Sequence, residues 1–499
     1  MNSILDFLER SASEYPDREA YEDQSRVMTF SEMRNSARSV GTALAGIIGE
    51  THCPVVVYLD KSVNSILSFF GVVYSGNFYC PLDTEMPLER VLVIMGVLSP
   101  RLVITDEAHR ETALKFCRDS SLVLLEDLCA ECADENLLAS IRSSATELDP
   151  LYVLFTSGST GVPKGVLLNH RVVINYMEWL SDTFDFRQTD VFGNQAPFYF
   201  DISIHDIYGA AYFGAKMVII PRYLFSFPAK LIEYMNEKKI STFLWVPSAM
   251  GIIAKLKAFR AGKPGYLRHA MFAGEVFPRK QLDYWVQNLP DTVYANLYGP
   301  TETYVCTAYV MNGTEKEGAP LPIGTPVSNT QALILDDSGK PVPKGETGEL
   351  CIRGSCLAMG YYNNPEKTAS SFVQNPLVTA YPDRIYHTGD LVYYDENDAL
   401  IYVSRKDFQI KHMGYRIELG EIENAVNRVE GINDCACTYD SRRSRIVLFY
   451  EGTEFESKQL LDKLSKLIPE YMLPGRIVRL EHMPRNANGK TDRTALKEM

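Results

Sequence analysis

The chain has 499 residues, of which 46% are hydrophobic and 23% are charged, and its formal net charge at pH 7 is −13. A chain of this length and composition can bury more than one hydrophobic core, so we expect at least two domains. The negative charge, with no basic stripe interleaved with aromatic residues, argues against a partner that is nucleic acid or an anionic membrane.

The first eighty residues carry no sign of export or membrane insertion. Asp6, Glu9 and Arg10 interrupt the first apolar residues, so no continuous apolar core of a signal peptide is present. The most apolar stretch, 63–82, contains asparagines, glycines and Pro81, which favours a buried helix that runs into a strand over a membrane span. We therefore expect a cytoplasmic protein, and we take it to be a monomer.

The ten cysteines are scattered along the chain and do not suggest a disulfide framework. Cys129 and Cys132 form one CxxC pair, and Cys435 and Cys437 form a CxC pair. A zinc site would need a second pair or nearby histidines, which neither motif has. We expect no structural metal.

Strand-like and helical patterns alternate through the first four hundred residues, which predicts α/β layers. Three short apolar runs, 151–155, 216–220 and 242–246, are bounded by Gly, Pro or polar residues and are predicted to be buried strands.

The first of these strands leads into a loop rich in Gly, Ser and Thr, from Thr156 to Gly165. Small residues let backbone amides and hydroxyls converge on phosphate oxygens, and Lys164 adds a positive charge. A Walker loop is excluded, because Pro163 stands where that motif needs glycine. A flexible connection is the alternative interpretation of such a loop taken alone.

The pattern changes after Arg405. A charged turn is followed by a helix with Ile422, Val426 and Val429 on one face, by strands at 434–439 and 445–450, and by a second helix around 460–467. This succession predicts a small α+β domain. We place the boundary at Asp407, so that the fold is α/β, with a large multi-layer N-terminal domain (1–406) and a small C-terminal α+β domain (407–499) joined by a hinge.

Further motifs follow the loop in a fixed order: Phe200-Asp201-Ile202-Ser203, Asn296-Leu297-Tyr298-Gly299-Pro300-Thr301-Glu302, Gly348-Glu349-Leu350, Tyr386-His387-Thr388-Gly389-Asp390-Leu391, Gly414-Tyr415-Arg416-Ile417-Glu418-Leu419-Gly420-Glu421 and Asn488-Gly489-Lys490. With these motifs the chain resembles, over nearly its whole length, the adenylate-forming superfamily of acyl-CoA synthetases, luciferases and nonribosomal peptide synthetase adenylation domains. The resemblance implies that a carboxylate attacks the α-phosphorus of ATP, that an acyl-adenylate forms and pyrophosphate leaves, and that the acyl group then passes to a thiol.

The resemblance also implies a nucleotide site. The loop residues implied to hold the β- and γ-phosphates are Thr156, Ser157, Gly158, Ser159, Thr160, Gly161 and Lys164. The second group, around adenine, ribose and the α-phosphate, is Asn296, Leu297, Tyr298, Gly299, Pro300, Thr301, Asp390, Tyr402 and Arg405. Tyr298 would offer a face to adenine, Asn296 a hydrogen-bonding edge, and Asp390 would accept the ribose hydroxyls. For Asp390 a turn aspartate, and for Tyr298 a packed aromatic, are the alternatives.

Three residues are implied to act in catalysis. Thr301 would contact the α-phosphate, and Glu302 would help to hold Mg²⁺, a hard cation that prefers carboxylate oxygens. Lys490 would bridge the substrate carboxylate and the α-phosphate, although an ordinary lysine at this place would be a solvated surface charge. Asp407 falls at the position of the family's hinge.

Asp201 distinguishes the family's reactions. Members that activate α-amino acids carry aspartate there as a partner of the substrate ammonium, so we expect an amino acid substrate, although a turn aspartate is the alternative. The implied side-chain pocket comprises Ile202, His205, Leu244, Met271, Ala273, Leu297, Val305 and Cys306. This lining predicts a small or medium uncharged side chain. His205 is either a polar contact or a packed histidine bonded to its neighbours.

Three alternatives remain open. The length, with Phe272-Ala273-Gly274-Glu275, resembles D-alanine:carrier-protein ligases of teichoic acid modification, but the chain departs from them at Ala273 and His205, where cysteine and methionine are usual. An acyl-CoA synthetase is disfavoured by Asp201. A relative that only binds ATP or an amino acid would have lost Glu302 or Lys490, and both are present. We expect transfer to the phosphopantetheine thiol of a carrier protein; the sequence names neither the carrier nor the stereochemistry of the amino acid.

Overall fold

A computed structural model describes residues 1–117, 121–158, 162–313, 315, 319–407, 409–441, 443–485 and 491–499. Its helices are α1 (Leu5–Glu14), α2 (Phe30–Ile48), α3 (Val63–Tyr74), α4 (Leu88–Leu98), α5 (Arg110–Ala113), α6 (Leu125–Cys129), α7 (Glu135–Ser144), α8 (His170–Thr183), α9 (Ser203–Phe213), α10 (Pro228–Glu237), α11 (Pro247–Lys255), α12 (Arg279–Asn288), α13 (Pro365–Ser371), α14 (Leu419–Asn427), α15 (Ser457–Leu464) and α16 (Arg493–Glu498). Short 3₁₀ turns lie at Arg222–Ser226, Ala258–Arg260 and Glu470–Met472.

The strands are β1 (Glu19–Glu22), β2 (Val27–Thr29), β3 (Pro54–Val57), β4 (Phe78–Pro81), β5 (Leu102–Thr105), β6 (Ser121–Leu124), β7 (Pro150–Thr156), β8 (Lys164–Asn169), β9 (Val191–Asn194), β10 (Lys216–Ile219), β11 (Thr242–Trp245), β12 (His269–Ala273), β13 (Val293–Tyr298), β14 (Thr307–Val310), β15 (Thr325–Pro326), β16 (Thr330–Leu335), β17 (Gly348–Gly354), β18 (Gly360–Tyr361), β19 (Phe372–Gln374), β20 (Arg384–Tyr394), β21 (Leu400–Arg405), β22 (Gln409–His412), β23 (Tyr415–Glu418), β24 (Ile432–Asp440), β25 (Arg445–Gly452) and β26 (Arg476–Arg479).

The chain divides into two compact units. The first comprises residues 1–84, 99–154 and 166–404, and the second comprises 85–98, 155–165 and 405–499. The second unit therefore combines the C-terminal residues with α4 and with the Gly-rich loop, two segments that are distant from them in sequence.

Three sheets build the first unit. Within the described residues, one sheet has the strand order β15-β14-β13-β12-β11-β9-β10-β1-β2, a second has the order β18-β8-β7-β4-β3-β5-β6, and a third has the order β16-β17-β20-β19, with β21 beside β20. Strands β10, β9, β11, β12 and β13 run parallel to one another. Helices cover such parallel strands on both faces, which explains why β11 and β12 are buried at every residue.

Local sequence signals set the ends of several helices in this unit. Helix α2 begins with a capping box in which Thr29 and Glu32 satisfy each other's backbone amides, and it ends at Gly49 in a left-handed conformation. Asn169 caps α8 by accepting a hydrogen bond from the Val172 amide. These caps direct the apolar faces of both helices into one continuous core.

The second unit has its own core between α14, α15 and a sheet of β24, β25 and β26. Strands β22 and β23 form a separate hairpin. A nearly buried ion pair joins Arg90 of α4 to Glu421 of α14, and the two residues are 6% and 4% exposed. Removal of one partner of such a pair strongly destabilises the folded protein, because the other charge is left buried without a counter-ion.

The structure agrees with the predicted α/β architecture. The stretch 63–82 forms helix α3 and then strand β4, and the runs predicted as strands form β7, β10 and β11. Two helices end earlier than the apolar pattern indicates: Val429 follows the end of α14, and Leu467 follows the end of α15. No helix among the described residues is long and apolar enough to span a membrane.

Candidate adenylation site

Several predicted site residues of the first unit lie towards the carboxyl ends of its parallel strands. Ala273 ends β12 and Tyr298 ends β13. Cα atoms of Ala273 and Leu297 are partners across the sheet, as are those of Leu244 and Met271. Ligands of open α/β sheets bind in the crevice beyond this edge.

The segment after β13 turns sharply at Gly299. A Cβ atom on Gly299 would lie 1.5 Å from the Tyr304 carbonyl oxygen, so no other residue fits without moving the backbone. Tyr304 has a φ of 51°, in the left-handed region that a bulky residue seldom adopts. The turn that carries Thr301 and Glu302 is thus held in one shape, and backbone outliers of this kind cluster at functional sites.

Tyr298 and Asp390 lie together in the structure. The Tyr298 hydroxyl donates a hydrogen bond to the Asp390 carboxylate, and the two residues are 5% and 1% exposed. Burial, together with the charge of Asp390, raises the pKa of Tyr298 well above its ordinary value. Asn296 donates from its side-chain amide to the Pro322 carbonyl oxygen at 2.8 Å. Three residues predicted for adenine and ribose therefore lie in one part of the first unit.

Glu302 is a fully buried carboxylate that accepts a hydrogen bond from the Tyr361 hydroxyl at 2.7 Å. Tyr361 belongs to β18, and the sequence did not reveal this contact, because 59 positions separate Tyr361 from Glu302. The described residues contain no cluster of three or more His, Cys, Asp or Glu side chains suited to a metal. A single carboxylate still fits Mg²⁺, which proteins often hold through one or two carboxylates and the substrate phosphates.

The Gly-rich loop belongs to the second unit, and its described residues contact the hairpin of β22 and β23. The Ser157 hydroxyl donates to the Arg416 carbonyl oxygen at 2.8 Å and accepts from the Glu418 amide at 3.1 Å. Lys164 Nζ lies 4.0 Å from Glu418. The hydroxyl and the ammonium group expected at phosphates are thus engaged by protein atoms in this structure.

Two further features of the loop suit phosphate binding. A Cβ atom on Gly158 would lie 2.0 Å from the Val162 carbonyl oxygen, so position 158 needs glycine. The hydroxyl of Thr156 is buried and has no hydrogen-bond partner among the described residues. A buried polar atom of this kind is costly unless a ligand or water pairs with it. Ser159, Thr160, Gly161 and Lys490 lie outside the described residues.

Arg405 and Asp407 form a bidentate ion pair. Arg405 Nε lies 2.6 Å from Asp407 Oδ1, and its terminal nitrogen lies 2.8 Å from Oδ2. Burial opposes the charge of Asp407, but the Arg405 hydrogen bonds and charge outweigh it and lower the pKa of that carboxyl. The arginine predicted for ribose therefore pairs with the predicted hinge residue here. Tyr402, in β21, packs half-buried against the core around Tyr298.

The residues predicted to line the side-chain pocket all belong to the first unit and are largely apolar. Its members Ile202, Leu244, Met271, Ala273, Leu297, Val305 and Cys306 are all under 10% exposed. Asp201 is half-buried, and its charge contributes to raising the pKa of Tyr152 and Tyr304 well above ordinary values, after burial itself. The two tyrosines thus lie near Asp201, and no sequence motif pointed to either of them.

His205, predicted to line the same pocket, is a buried residue of α9. Its Nδ1 lies 2.8 Å from the Tyr176 hydroxyl, and the side chain is fully buried. Burial, with a smaller contribution from the neighbouring His269, lowers the pKa of His205 to about 3, so the imidazole is neutral near pH 7. Of the two interpretations left open by the sequence, the geometry matches a histidine bonded to a neighbour.

The chain is similar to known proteins along nearly its whole length. The family model for AMP-binding enzymes matches residues 8–362, and the model for the AMP-binding enzyme C-terminal domain matches residues 421–490. An L-proline--[L-prolyl-carrier protein] ligase of Streptomyces coelicolor is 34% identical over 93% of this chain and 91% of its own length. A D-alanine--D-alanyl carrier protein ligase of Lacticaseibacillus casei is 30% identical over 99% of both chains.

A longer protein and a solved structure also match. Tyrocidine synthase 1 of Brevibacillus parabrevis is 30% identical over 99% of this chain, which spans only 45% of that protein. The Vibrio cholerae adenylation domain AlmE, solved in complex with glycyl-adenosine-5'-phosphate, superposes with a TM-score of 0.86 over 99% of this chain and 97% of its own, at 22% identity. At 22% identity, this structural similarity shows that the two proteins share a fold.

Proposed function

The chain belongs to the AMP-binding enzyme family, and on that premise we propose that it activates an amino acid with ATP and passes the aminoacyl group to the phosphopantetheine thiol of a carrier protein. In the first step a carboxylate oxygen bonds to the α-phosphorus and the bond to pyrophosphate breaks. In the second step the thiol sulfur bonds to the carbonyl carbon, its proton goes to solvent and AMP leaves. The carrier-protein ligases similar over nearly their whole length support this choice.

The observation that carries the amino acid assignment is the place of Asp201. Its half-buried carboxylate lies in the loop after β9 and near Tyr152, and the residues predicted around it are apolar except for His205. A carboxylate in such surroundings favours a cationic ligand, and the ammonium group of an α-amino acid supplies one. A fatty or aryl acid has no such group, which weighs against the acyl-CoA synthetase alternative.

Several side chains suit the nucleotide. Asp390 and Tyr298 would meet ribose and adenine, Thr156 would offer its buried hydroxyl to a phosphate, and Lys490 would stabilise the charge that develops at the α-phosphate. Glu302 would help to hold Mg²⁺, which would neutralise phosphate charge. Tyr361 fixes the orientation of that carboxylate.

The pocket supports a small or medium uncharged side chain. Leu244, Met271 and Leu297 are bulky and 1% exposed or less, which restricts the volume open to a substrate side chain. The neutral His205 supplies no charge to pair with a charged substrate side chain. D-Alanine is the second candidate, because a D-alanine ligase is 30% identical along the entire chain. Ala273 and His205 depart from that subgroup, so both stereoisomers belong in the substrate panel.

Amino-acid-dependent exchange of labelled pyrophosphate into ATP tests the proposal. We expect exchange with one small neutral amino acid from a panel of glycine, L-proline and both alanine isomers among the D- and L-amino acids. Asp201→Ala should raise the KM for that amino acid by roughly tenfold to a hundredfold and leave the KM for ATP nearly unchanged, because a charge-assisted hydrogen bond is lost. Lys490→Ala should fold normally and lose exchange.

Asp398→Ala is the matched control, since Asp398 is an exposed aspartate paired with Lys344. It should leave both KM values unchanged. Absence of exchange with every amino acid would refute the proposal, and an equal rise of both KM values in Asp201→Ala would make Asp201 a structural residue. Mass spectrometry of a phosphopantetheinylated carrier, with coenzyme A as the competing acceptor, tests the transfer step, and light scattering tests the monomeric state.

A further inference from the structure

The loop that carries Asp201 is closed at its base by a hydrogen bond between two buried side chains. Asn194 is the last residue of β9, and Asp206 lies in the first turn of α9. The Asn194 amide nitrogen donates to Asp206 Oδ2 at 2.8 Å, and both residues are fully buried. Residues 195–202, between these ends, include Asp201.

We propose that Asn194 and Asp206 form a clasp that fixes Asp201 in place, so that both are positioning residues for the substrate ammonium. The inference rests on the proposed function, in which Asp201 binds that ammonium. The clasp joins the strand before the loop to the helix after it, and a fixed carboxylate binds its ligand without first losing conformational freedom.

Asp201 is coupled to the clasp through the start of α9. The Ile204 amide donates to the Asp201 carbonyl oxygen at 2.9 Å, two residues before Asp206. The Ser203 hydroxyl donates to the Phe200 carbonyl oxygen at 2.6 Å. A displacement of the first turn of α9 would therefore move Asp201 directly.

A lysine secures the other end of the loop. Lys61 Nζ donates to the Gln195 carbonyl oxygen at 3.0 Å, and the Lys61 charge acts on Asp206. The tyrosines Tyr176 and Tyr304, from α8 and from the turn after Gly299, also interact electrostatically with Asp206. The clasp therefore interacts with residues from three separate parts of the first unit.

The chemistry of the pair indicates which substitution it tolerates. Asp206 Oδ1 and Asn194 Oδ1 are both buried and without a hydrogen-bond partner among the described residues. Burial raises the pKa of Asp206 to about 7, opposed by the Asn194 hydrogen bond and the Lys61 charge, so the carboxyl binds a proton readily. A protonated Asp206 has an O–H to donate, and Asn194 Oδ1 is the acceptor that still needs a donor. Asparagine at position 206 offers a similar donor.

Pyrophosphate exchange with the purified protein tests the clasp. Asp206→Ala should raise the KM for the amino acid about tenfold while the KM for ATP stays within about twofold. Asp206→Asn should restore the wild-type KM, because the new amide oxygen can accept from the Asn194 amide nitrogen and the new amide nitrogen can donate to Asn194 Oδ1. The reciprocal exchange Asn194→Asp with Asp206→Asn should also restore it.

The matched control is another buried Asn–Asp pair in the same unit. Asn375 donates from its amide to Asp383 Oδ2 at 2.8 Å, as Asn194 does to Asp206. Asp383→Ala should lower the melting temperature and leave the ratio of the two KM values unchanged. If Asp206→Ala does not fold, Asn194→Ser takes its place in the same assay.

Two outcomes would overturn the clasp. One is a folded alanine or serine variant with unchanged amino acid KM, and the other is an equal rise in both KM values that Asp206→Asn does not rescue. Both outcomes are measured relative to a wild-type enzyme that is active. They would refute the positioning role of the clasp alone. A wild-type protein without amino-acid-dependent exchange would instead refute the proposed function.

Discussion

Three buried histidines make the folded chain sensitive to acid. Burial is the main cause that lowers the pKa of His170 to about 4, of His205 to about 3 and of His269 to about 4, from an ordinary value of 6.5. Below pH 6.5 the unfolded chain takes up protons at these positions and the folded chain does not. The free energy of unfolding therefore falls as the pH drops from about 6.5 towards 4. Above pH 6.5 the stabilisation that the three neutral histidines contribute is fully present.

We predict that His170→Asn removes part of this acid sensitivity. The asparagine oxygen can replace His170 Nδ1, which accepts a hydrogen bond from the Ile4 amide at 3.3 Å. Linkage gives a wild-type loss of about 2 kcal/mol between pH 7 and pH 5 from this histidine, and the variant should lack it. Denaturant unfolding at both pH values measures the difference. The exposed His482, changed to Asn, is the control and should leave the loss as in wild type.

At the scale of single residues, the sequence predicted the groups that belong to motifs. Asp201, Glu302 and Asp390 stand in short ordered motifs, and a resemblance can assign them roles. Tyr361, Asn194 and Asp206 were not predicted as positioning residues, because each acts through a partner that the fold brings close. A buried aspartate at the start of a helix looks like an ordinary capping residue until the strand beside it is known.

Among the elements, the turn after β13 depends most on one residue type. Gly299→Ala should displace this turn, because the new Cβ would overlap the Tyr304 carbonyl at 1.5 Å. We predict a lower melting temperature and at least tenfold weaker AMP binding, measured by calorimetry. The prediction is wrong if the variant binds AMP as the wild type does.

Gly46 provides the matched control for that substitution. It lies within α2, and a Cβ there would meet no atom within 4 Å. Because alanine favours a helix over glycine, Gly46→Ala should raise the free energy of unfolding by about 1 kcal/mol and leave AMP binding unchanged. The same change of residue thus has opposite expected effects at two positions.

The elements themselves were predictable where their patterns are local. In the sequence, the buried parallel strands β7, β10 and β11 are visible as short apolar runs, and α14 is visible as a regular apolar face. The ends of α14 and α15 were overestimated, since Val429 and Leu467 continue the apolar pattern into the following turns and still pack on the core. The grouping of α4 with the C-terminal residues could not be predicted, because it depends on contacts between distant parts of the chain.

At the scale of the whole molecule, the domain boundary at Asp407 stays a prediction, and it implies that the C-terminal domain rotates about this residue. In the proposed reaction, one active site presents Lys490 in the first step and admits a thiol in the second, and a few residues that change φ and ψ can supply the rotation that this needs. Asp407 is paired with Arg405 in this structure, and its side chain is 46% exposed. Any rotation about this position would act on that ion pair.

We predict that Asp407→Pro separates the two half-reactions. Proline fixes its own φ near −65° and restricts Lys406, so it should trap one orientation. If the adenylating orientation is trapped, pyrophosphate exchange persists and loading of the carrier thiol falls by at least tenfold. Asp407→Ala, which removes the carboxylate and leaves φ unrestricted, should retain both activities. Equal retention of both by the proline variant would contradict the hinge, and a melting curve identifies misfolding.

The ion pair between Arg90 and Glu421 limits which chimaeric proteins can form when the gene for this chain recombines with related genes. The two residues are 331 positions apart, yet each is nearly buried against the other. A crossover between them that brings a neutral residue to position 421 would leave the buried Arg90 charge without a counter-ion. The free energy of unfolding would then fall by about 3 to 5 kcal/mol. Viable chimaeras would therefore inherit positions 90 and 421 together, as a linked pair.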